Sequence, residues 1–384
     1  MKYLIIGAGI AGSTAAETIR EQDKEGEITI ISGEAELVYN RIVLPNYLKG
    51  RINREKLFFK TPASLVAKNI IVKAGVWVKS VDAANHAVIL DNGESLLFDK
   101  LLIATGGRPK KWNVPGADKQ GVFHFQTLED SDAILEYAKN AKSAVVEGGG
   151  FISLELIDAF IFRKLETHLF LRRNYYWPDL MDEEQSMRLV HKIESMGVVV
   201  HPNQIVSEVL GDSKATGVKT EQGLEVEADL VAYGIGLDHY IEFLSDSNIK
   251  TNQGVVVNKY LESSMPGVYA AGDVAECGRV LGNWDNAKAQ GKVAGLNMAG
   301  LATEFNEITY YSMSVGGLLV ATLGNTDIKA ADKIEVRKDE NKYVKILMKN
   351  GKVIGAIFVG GVEDVMGLKK VIVDEIVFLN PGLL

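Results

Sequence analysis

Apolar residues run unbroken through Tyr3-Leu4-Ile5-Ile6, the mark of a buried strand, and the chain then turns through Gly7-Ala8-Gly9-Ile10-Ala11-Gly12 into Ser13–Arg20, a helix-forming stretch. Ile28-Thr29-Ile30-Ile31 is the next apolar run. Strand, glycine turn, helix and parallel strand in this order predict a βαβ unit. Between Ile70 and Ile103 the pattern shortens into β-like pieces, among them Val76-Trp77-Val78 and Ala87-Val88-Ile89-Leu90, broken by turn signals such as Asp91-Asn92-Gly93. A second βαβ opening follows: Ala144-Val145-Val146, then Gly148-Gly149-Gly150, a helix over Leu154–Leu165 and a strand over Thr167–Leu171. After Tyr269-Ala270-Ala271-Gly272-Asp273 a helix is predicted over Ala287–Met298. Strand-like alternation returns at 342–347 and 353–357, so the C-terminal stretch reads as a small α+β domain.

The glycine turns give this pattern its first chemistry. In G-x-G-x-x-G the first glycine permits the tight turn, the second lets the backbone approach a pyrophosphate, and the third lets helix and strand pack closely. The helix N-terminus adds partial positive charge. Gly7, Gly9 and Gly12 sit after a strand and before a helix, the context the motif requires. The second turn offers Gly148, Gly150 and, in the third place, Ser153, a small residue that packing tolerates. Glu147 is out of pattern there, because a charge falls where the strand should stay apolar. A purely structural glycine turn is the alternative in both places.

Composition narrows the field. The 384 residues suggest two or three domains, and 47% hydrophobic with 24% charged residues is ordinary for a globular protein. A net charge of −8 argues against a general nucleic-acid binder. Nothing approaches the roughly 20 apolar residues of a membrane span, and the N-terminal apolar run is a strand rather than a signal peptide, so a cytoplasmic protein is expected. The six histidines show no metal-ligand spacing, no metal is expected, and no Ser-His-Asp arrangement is legible.

Four motifs, in order, carry a resemblance to the two-dinucleotide-binding-domain flavoproteins of the pyridine nucleotide oxidoreductase superfamily. They are Gly7–Gly12; Ala104-Thr105-Gly106-Gly107-Arg108-Pro109; Gly148-Gly149-Gly150-Phe151-Ile152-Ser153-Leu154-Glu155; and Tyr269–Asp273. The whole-chain pattern most resembles NADH:rubredoxin oxidoreductase and the flavin-binding N-terminal part of assimilatory nitrite reductase.

The resemblance implies an α/β fold of two Rossmann-like, glutathione-reductase-type domains plus the small C-terminal domain. FAD would occupy a discontinuous domain, 1–106 and 235–303; NADH or NADPH would bind 107–234; 304–384 would follow. For FAD it implies Ala8, Ile10 and Ala11 within the first turn, with Val78, Ala104, Thr105, Gly106 and Gly272. Asp273 would accept a hydrogen bond from the ribityl chain, Arg41 would contact the flavin, and Trp284 would pack near its ring, although a core aromatic is the alternative for Trp284. For the nicotinamide nucleotide it implies Gly148, Gly150, Phe151, Ile152, Ser153, Glu155 and Gly236.

Two departures stand out. The acid that would bind the FAD adenosine ribose falls at Gly33, leaving Ser32 or Glu34 to substitute. Arg172 and Arg173 follow the second-domain strand where an acid would accept from a ribose 2′-OH; Arg suits a 2′-phosphate, so NADPH is open beside NADH, and solvated turn residues are the bland alternative.

The electron acceptor is constrained by what is missing. One cysteine, Cys277, excludes an intrachain disulfide, and Ile42 stands where peroxidase- and oxidase-type relatives carry a reactive thiol. Cys277 has nothing in its flanks to activate it. The expectation is therefore hydride transfer from the nicotinamide to FAD, then single electrons to a small acidic carrier such as rubredoxin, with no acid–base residue named. Lys49, Arg51, Arg54, Lys56 and Lys60 form a basic cluster that would steer such a carrier, or a solvated face. The competing readings are an NAD(P)H oxidase or diaphorase using oxygen, and a non-catalytic flavoprotein subunit with a decayed nicotinamide site. The apolar tail, 378–384, is an interface or a docked terminus, in a monomer or homodimer.

Overall fold

The computed structural model describes residues 1–360 apart from 37, 178–180, 279–281, 307, 309, 340 and 341; the apolar tail at 378–384 lies outside the described residues. The chain forms two compact units, one of 1–43, 53–108 and 237–307, the other of 44–52, 109–236 and 308–384.

The first unit is built on a five-stranded parallel sheet. Its strands in chain order are β1 (Lys2–Ile6), β2 (Glu27–Ser32), β3 (Ile70–Ala74), β4 (Lys100–Ile103) and a last one, Val268–Ala270; α1 (Ile10–Gln22) connects β1 to β2. β1 lies between β2 and β4, which puts the first glycine turn at the middle of the sheet's C-terminal edge. Ile5, Ile28, Ile30 and Leu102 are wholly buried. Each such side chain contributes roughly 1.5–3 kcal/mol by leaving water. The helix Trp284–Met298 crosses α1 so closely that a Cβ on Gly291 would stand 2.3 Å from the Ala11 carbonyl oxygen. That helix begins earlier than its apolar pattern predicts because the Asn283 side chain accepts from the Asn286 N–H and caps it at Trp284. The period-two pieces form an antiparallel three-stranded sheet over 78–82, 87–90 and 95–97; Trp77 stays outside it and is 52% exposed.

The second unit repeats the plan. β5 (Ser143–Glu147), α2 (Phe151–Phe162), β6 (Glu166–Leu171), β7 (Val199–Pro202) and β8 (Leu230–Tyr233) give a parallel sheet in the order β7-β6-β5-β8, extended by Val122–Phe123. α2 stops before the predicted Leu165 because Lys164 adopts φ +64°. An antiparallel meander (206–210, 217–220, 225–227) covers one face, with Val145, Phe170, Val206, Val218 and Val231 in the core between. A five-stranded antiparallel sheet, formed by 310–315, 318–324, 333–338, 343–349 and 352–360, completes the unit. The α/β architecture read from the sequence is the one observed.

Candidate functional site

In the first unit the glycines are held by contact, not merely tolerated. Gly7 has φ +110°, and a Cβ there would come within 2.2 Å of the Ala104 carbonyl oxygen. A Cβ on Gly12 would lie 1.9 Å from the Gly7 carbonyl oxygen. Gly9 meets nothing within 4 Å, so space opens beside the backbone where a pyrophosphate would approach. Gly9 also N-caps α1 with no side-chain hydrogen bond, leaving the helix's first N–H groups to an anion. Ala8 and Ala11 are buried and Ile10 half-buried along the same turn. These residues fit the diphosphate of FAD.

Around that turn stand the other predicted FAD residues. Gly272, at φ +83°, approaches Ala11 closely, its N–H donating to Gln290 Oε1 at 2.8 Å. Burial pushes the neighbouring Asp273 carboxyl up to about 6, and Arg41 opposes that rise. Arg41 is itself partly buried, which works against its charge, but Glu34, Tyr39 and Asp273 hold its pKa above the ordinary value. It pairs with the Glu34 carboxylate, and the Tyr39 hydroxyl donates to the other carboxylate oxygen at 2.7 Å. Thr105 Oγ1 donates to the Tyr240 carbonyl at 3.3 Å, next to Gly106 at φ +67°. Trp284 meets Phe59 edge-on, 5.6 Å between centroids.

The candidate ribose substitutes are otherwise occupied. Ser32 Oγ donates to the Glu34 carbonyl at 3.2 Å, and the Glu34 carboxylate is engaged by Arg41 and Tyr39. Val78 sends its side chain into the core and is 3% exposed, so that side chain is not available to a ligand. Gly33 lies under the ring of Trp77, a residue whose place beside the turn the sequence pattern did not reveal.

In the second unit a Cβ on Gly148, φ +132°, would sit 2.4 Å from the Gly234 carbonyl oxygen. Ser153 does more than pack. Its hydroxyl accepts from the Gly150 N–H at 3.0 Å and donates to the Gly150 carbonyl at 2.7 Å, locking the turn as α2 begins. Phe151 lies between Tyr311 and Trp177, at 4.2 and 4.6 Å between ring centroids. Ile152 borders Gly234, and the Gly236 carbonyl accepts from the Lys110 N–H at 3.0 Å. One turn into α2, burial pushes the Glu155 carboxyl up to about 7 against the pull of Lys49. Arg172 and Arg173 are exposed at the end of β6. The turn fits the diphosphate of a nicotinamide nucleotide as the first turn fits FAD.

The basic cluster looks different in the structure. Lys49 pairs with Asp158, Arg54 with Glu36 at 2.9 Å and Lys60 with Glu17 at 2.5 Å, while Arg51 lies over the Phe162 ring. Three of the five charges are thus paired within the fold, and charges so paired steer a partner weakly. Cys277 is half-buried, its thiol pKa raised by that burial. Among the described residues no group of three His, Cys, Asp or Glu could hold a metal, and no helix is long and apolar enough to cross a membrane.

Comparison with known proteins settles the family. The model of the pyridine nucleotide-disulphide oxidoreductases matches residues 1–291. The chain belongs to that family. Residues 312–376 match the rubredoxin NAD+ reductase C-terminal domain. A relative within the family is NADH-rubredoxin oxidoreductase of Clostridium acetobutylicum, 29% identical over 97% of this chain and 94% of that protein. Its solved structure superposes with a TM-score of 0.84, covering 99% of this chain and 97% of that one. Nitrite reductase [NAD(P)H] of Bacillus subtilis is also 29% identical, but the chain spans only 45% of its length. A putidaredoxin reductase–putidaredoxin complex shares the fold at a TM-score of 0.91. The protein is a flavin oxidoreductase using FAD and a nicotinamide nucleotide.

Proposed function

We propose that the protein takes electrons from NADH or NADPH and passes them from its flavin directly to a small iron–sulfur carrier of the rubredoxin or ferredoxin type. The observation that carries this reading is at the segment leading from the Arg41–Glu34 pair. There the side chain in the place of a reactive thiol is Ile42, 56% exposed, and the chain's one thiol is half-buried elsewhere, its pKa raised. A hydrocarbon forms neither a sulfenic acid nor a mixed disulfide, so no sulfur relay is available. The names of the relatives support the choice of acceptor: a NADH-rubredoxin oxidoreductase and the ferredoxin–NAD(+) reductase component of the Pseudomonas putida p-cumate 2,3-dioxygenase system.

FAD, when bound, supplies two-electron acceptance and one-electron release; the protein supplies binding, orientation and electrostatics. In this assignment the FAD domain is 1–106 with 235–303 and the nicotinamide nucleotide lies within 107–234. Gly7, Gly9 and the α1 N-terminus would hold the FAD diphosphate. Arg41 keeps positive charge beside Asp273, whose carboxylate would accept from the ribityl chain of bound FAD. Ser153 fixes the turn that would hold the second diphosphate. An oxidase reacting with oxygen is the competing outcome, since a NADH oxidase of Methanocaldococcus jannaschii is also 29% identical. Comparison of a carrier protein with oxygen as acceptor for the reduced enzyme separates the two.

A further inference from the structure

Glu147 closes β5 directly before Gly148 and is only 3% exposed. Its partners in register are Phe170 on β6 and Tyr233 on β8, and Val145 and Val206 share the apolar core on this face. The Val206 N–H donates to the carboxyl, while Oε2 has no hydrogen-bond partner. An unsatisfied buried polar atom is destabilising, a cost an aliphatic side chain would avoid. The position therefore carries a demand other than stability.

Arg172, at the end of the neighbouring strand, is the charged group that acts on Glu147. The titratable rings on this face are Tyr233, His124 beside it at 6.0 Å, and His201 over Phe170 at 4.5 Å. In a βαβ nucleotide unit the end of the second strand meets the adenosine 2′ substituent, an acid there serving a hydroxyl and an arginine a phosphate. Here the arginine occupies that end, and an acid stands one strand away.

We propose that Glu147 and Arg172 together read the 2′ position of the nicotinamide nucleotide, Arg172 attracting a 2′-phosphate and Glu147 rejecting it whenever its carboxyl is ionised. This rests on the assignment of 148–153 to that nucleotide. Burial pushes the Glu147 carboxyl up to about 8. Below that pH the neutral acid leaves the charge of Arg172 to the phosphate. Above it, the charge of the carboxylate offsets that of Arg172 and repels the phosphate through space.

The test is calorimetric titration of the FAD-saturated protein and its Glu147→Gln variant with NADP+ and NAD+, from about pH 7 to about pH 9.5. A phosphate monoester is already dianionic across this range, its second pKa being about 6. For the unaltered protein the NADP+ dissociation constant should climb towards tenfold per pH unit above about pH 8, with NAD+ changing by less than about twofold. Glu147→Gln should flatten the NADP+ curve. Were this variant to fail to fold, Arg172→Gln at its exposed position serves instead: the midpoint of the NADP+ curve should move to higher pH, because Arg172 no longer favours the ionised carboxyl. An NADP+ curve unchanged by either substitution overturns the inference while leaving the nucleotide site intact. Absence of binding by both nucleotides removes the site assignment along with it.

Discussion

The ring of Trp77 lies over Gly33 so closely that a Cβ on Gly33 would stand 2.4 Å from it. That packing explains why the residue at the end of β2 is glycine: an acid cannot occupy the position while the indole covers it. Gly33→Asp should therefore weaken FAD retention rather than restore a ribose contact, and should destabilise the fold by about 1–3 kcal/mol through overpacking. Adding Trp77→Ala should recover much of the loss, because the two sites share one volume. Flavin-to-protein absorbance after gel filtration, with thermal melts, checks both effects; equal losses in the single and double variants would contradict the packing account.

Lys49 and Asp158 form a largely buried pair, their side chains 9% and 20% exposed. Removing one partner strands the other charge. Lys49→Met should cost about 3 kcal/mol by denaturant unfolding, and Lys49→Met with Asp158→Leu should recover most of it. Loss of Lys49 also removes the charge that opposes the rise of Glu155, whose carboxyl should then titrate above its present value near 7.

Glu147 gives a stability effect with a definite sign. Its folded pKa, about 8, lies above the ordinary 4.5. The folded chain thus keeps a proton that the unfolded chain releases between those values, and stability falls as pH rises through that window. Glu147→Gln cannot ionise. Its Tm relative to the unaltered protein should rise steadily from about pH 4.5 to about pH 8 and then level off. A difference independent of pH would mean the carboxyl is not buried in its neutral form.

If no thiol takes part, Cys277→Ala should leave NADH-dependent reduction of a carrier protein within about twofold, and alkylation of the thiol should do no more. A loss of tenfold or greater would place sulfur on the electron path.

The parallel strands and both glycine turns were legible because their apolar runs and glycine spacing are local properties of the sequence. Trp77 was legible only as part of a period-two run, since nothing in Val76-Trp77-Val78 reveals that the ring leaves its sheet to cover Gly33. The fate of the basic cluster was hidden for a related reason. Lys49 meets Asp158 and Lys60 meets Glu17 across long stretches of chain, and such pairings are set by the tertiary fold. Ser153 could be recognised as small enough for its place, but its two hydrogen bonds to Gly150 depend on the turn being closed. Glu147 was visible as an anomaly from the start, and burial beside Arg172 gave it a meaning.

Direct transfer from reduced flavin to a carrier is tested most simply by reducing the FAD-saturated protein anaerobically with NADH and mixing it with oxidised rubredoxin or, in parallel, with oxygen. The account predicts that rubredoxin is reduced at two equivalents per flavin and at least about tenfold faster than the flavin reoxidises in oxygen. Flavin that bleaches with NADH but returns faster in oxygen than with the carrier would contradict it and mark an oxidase.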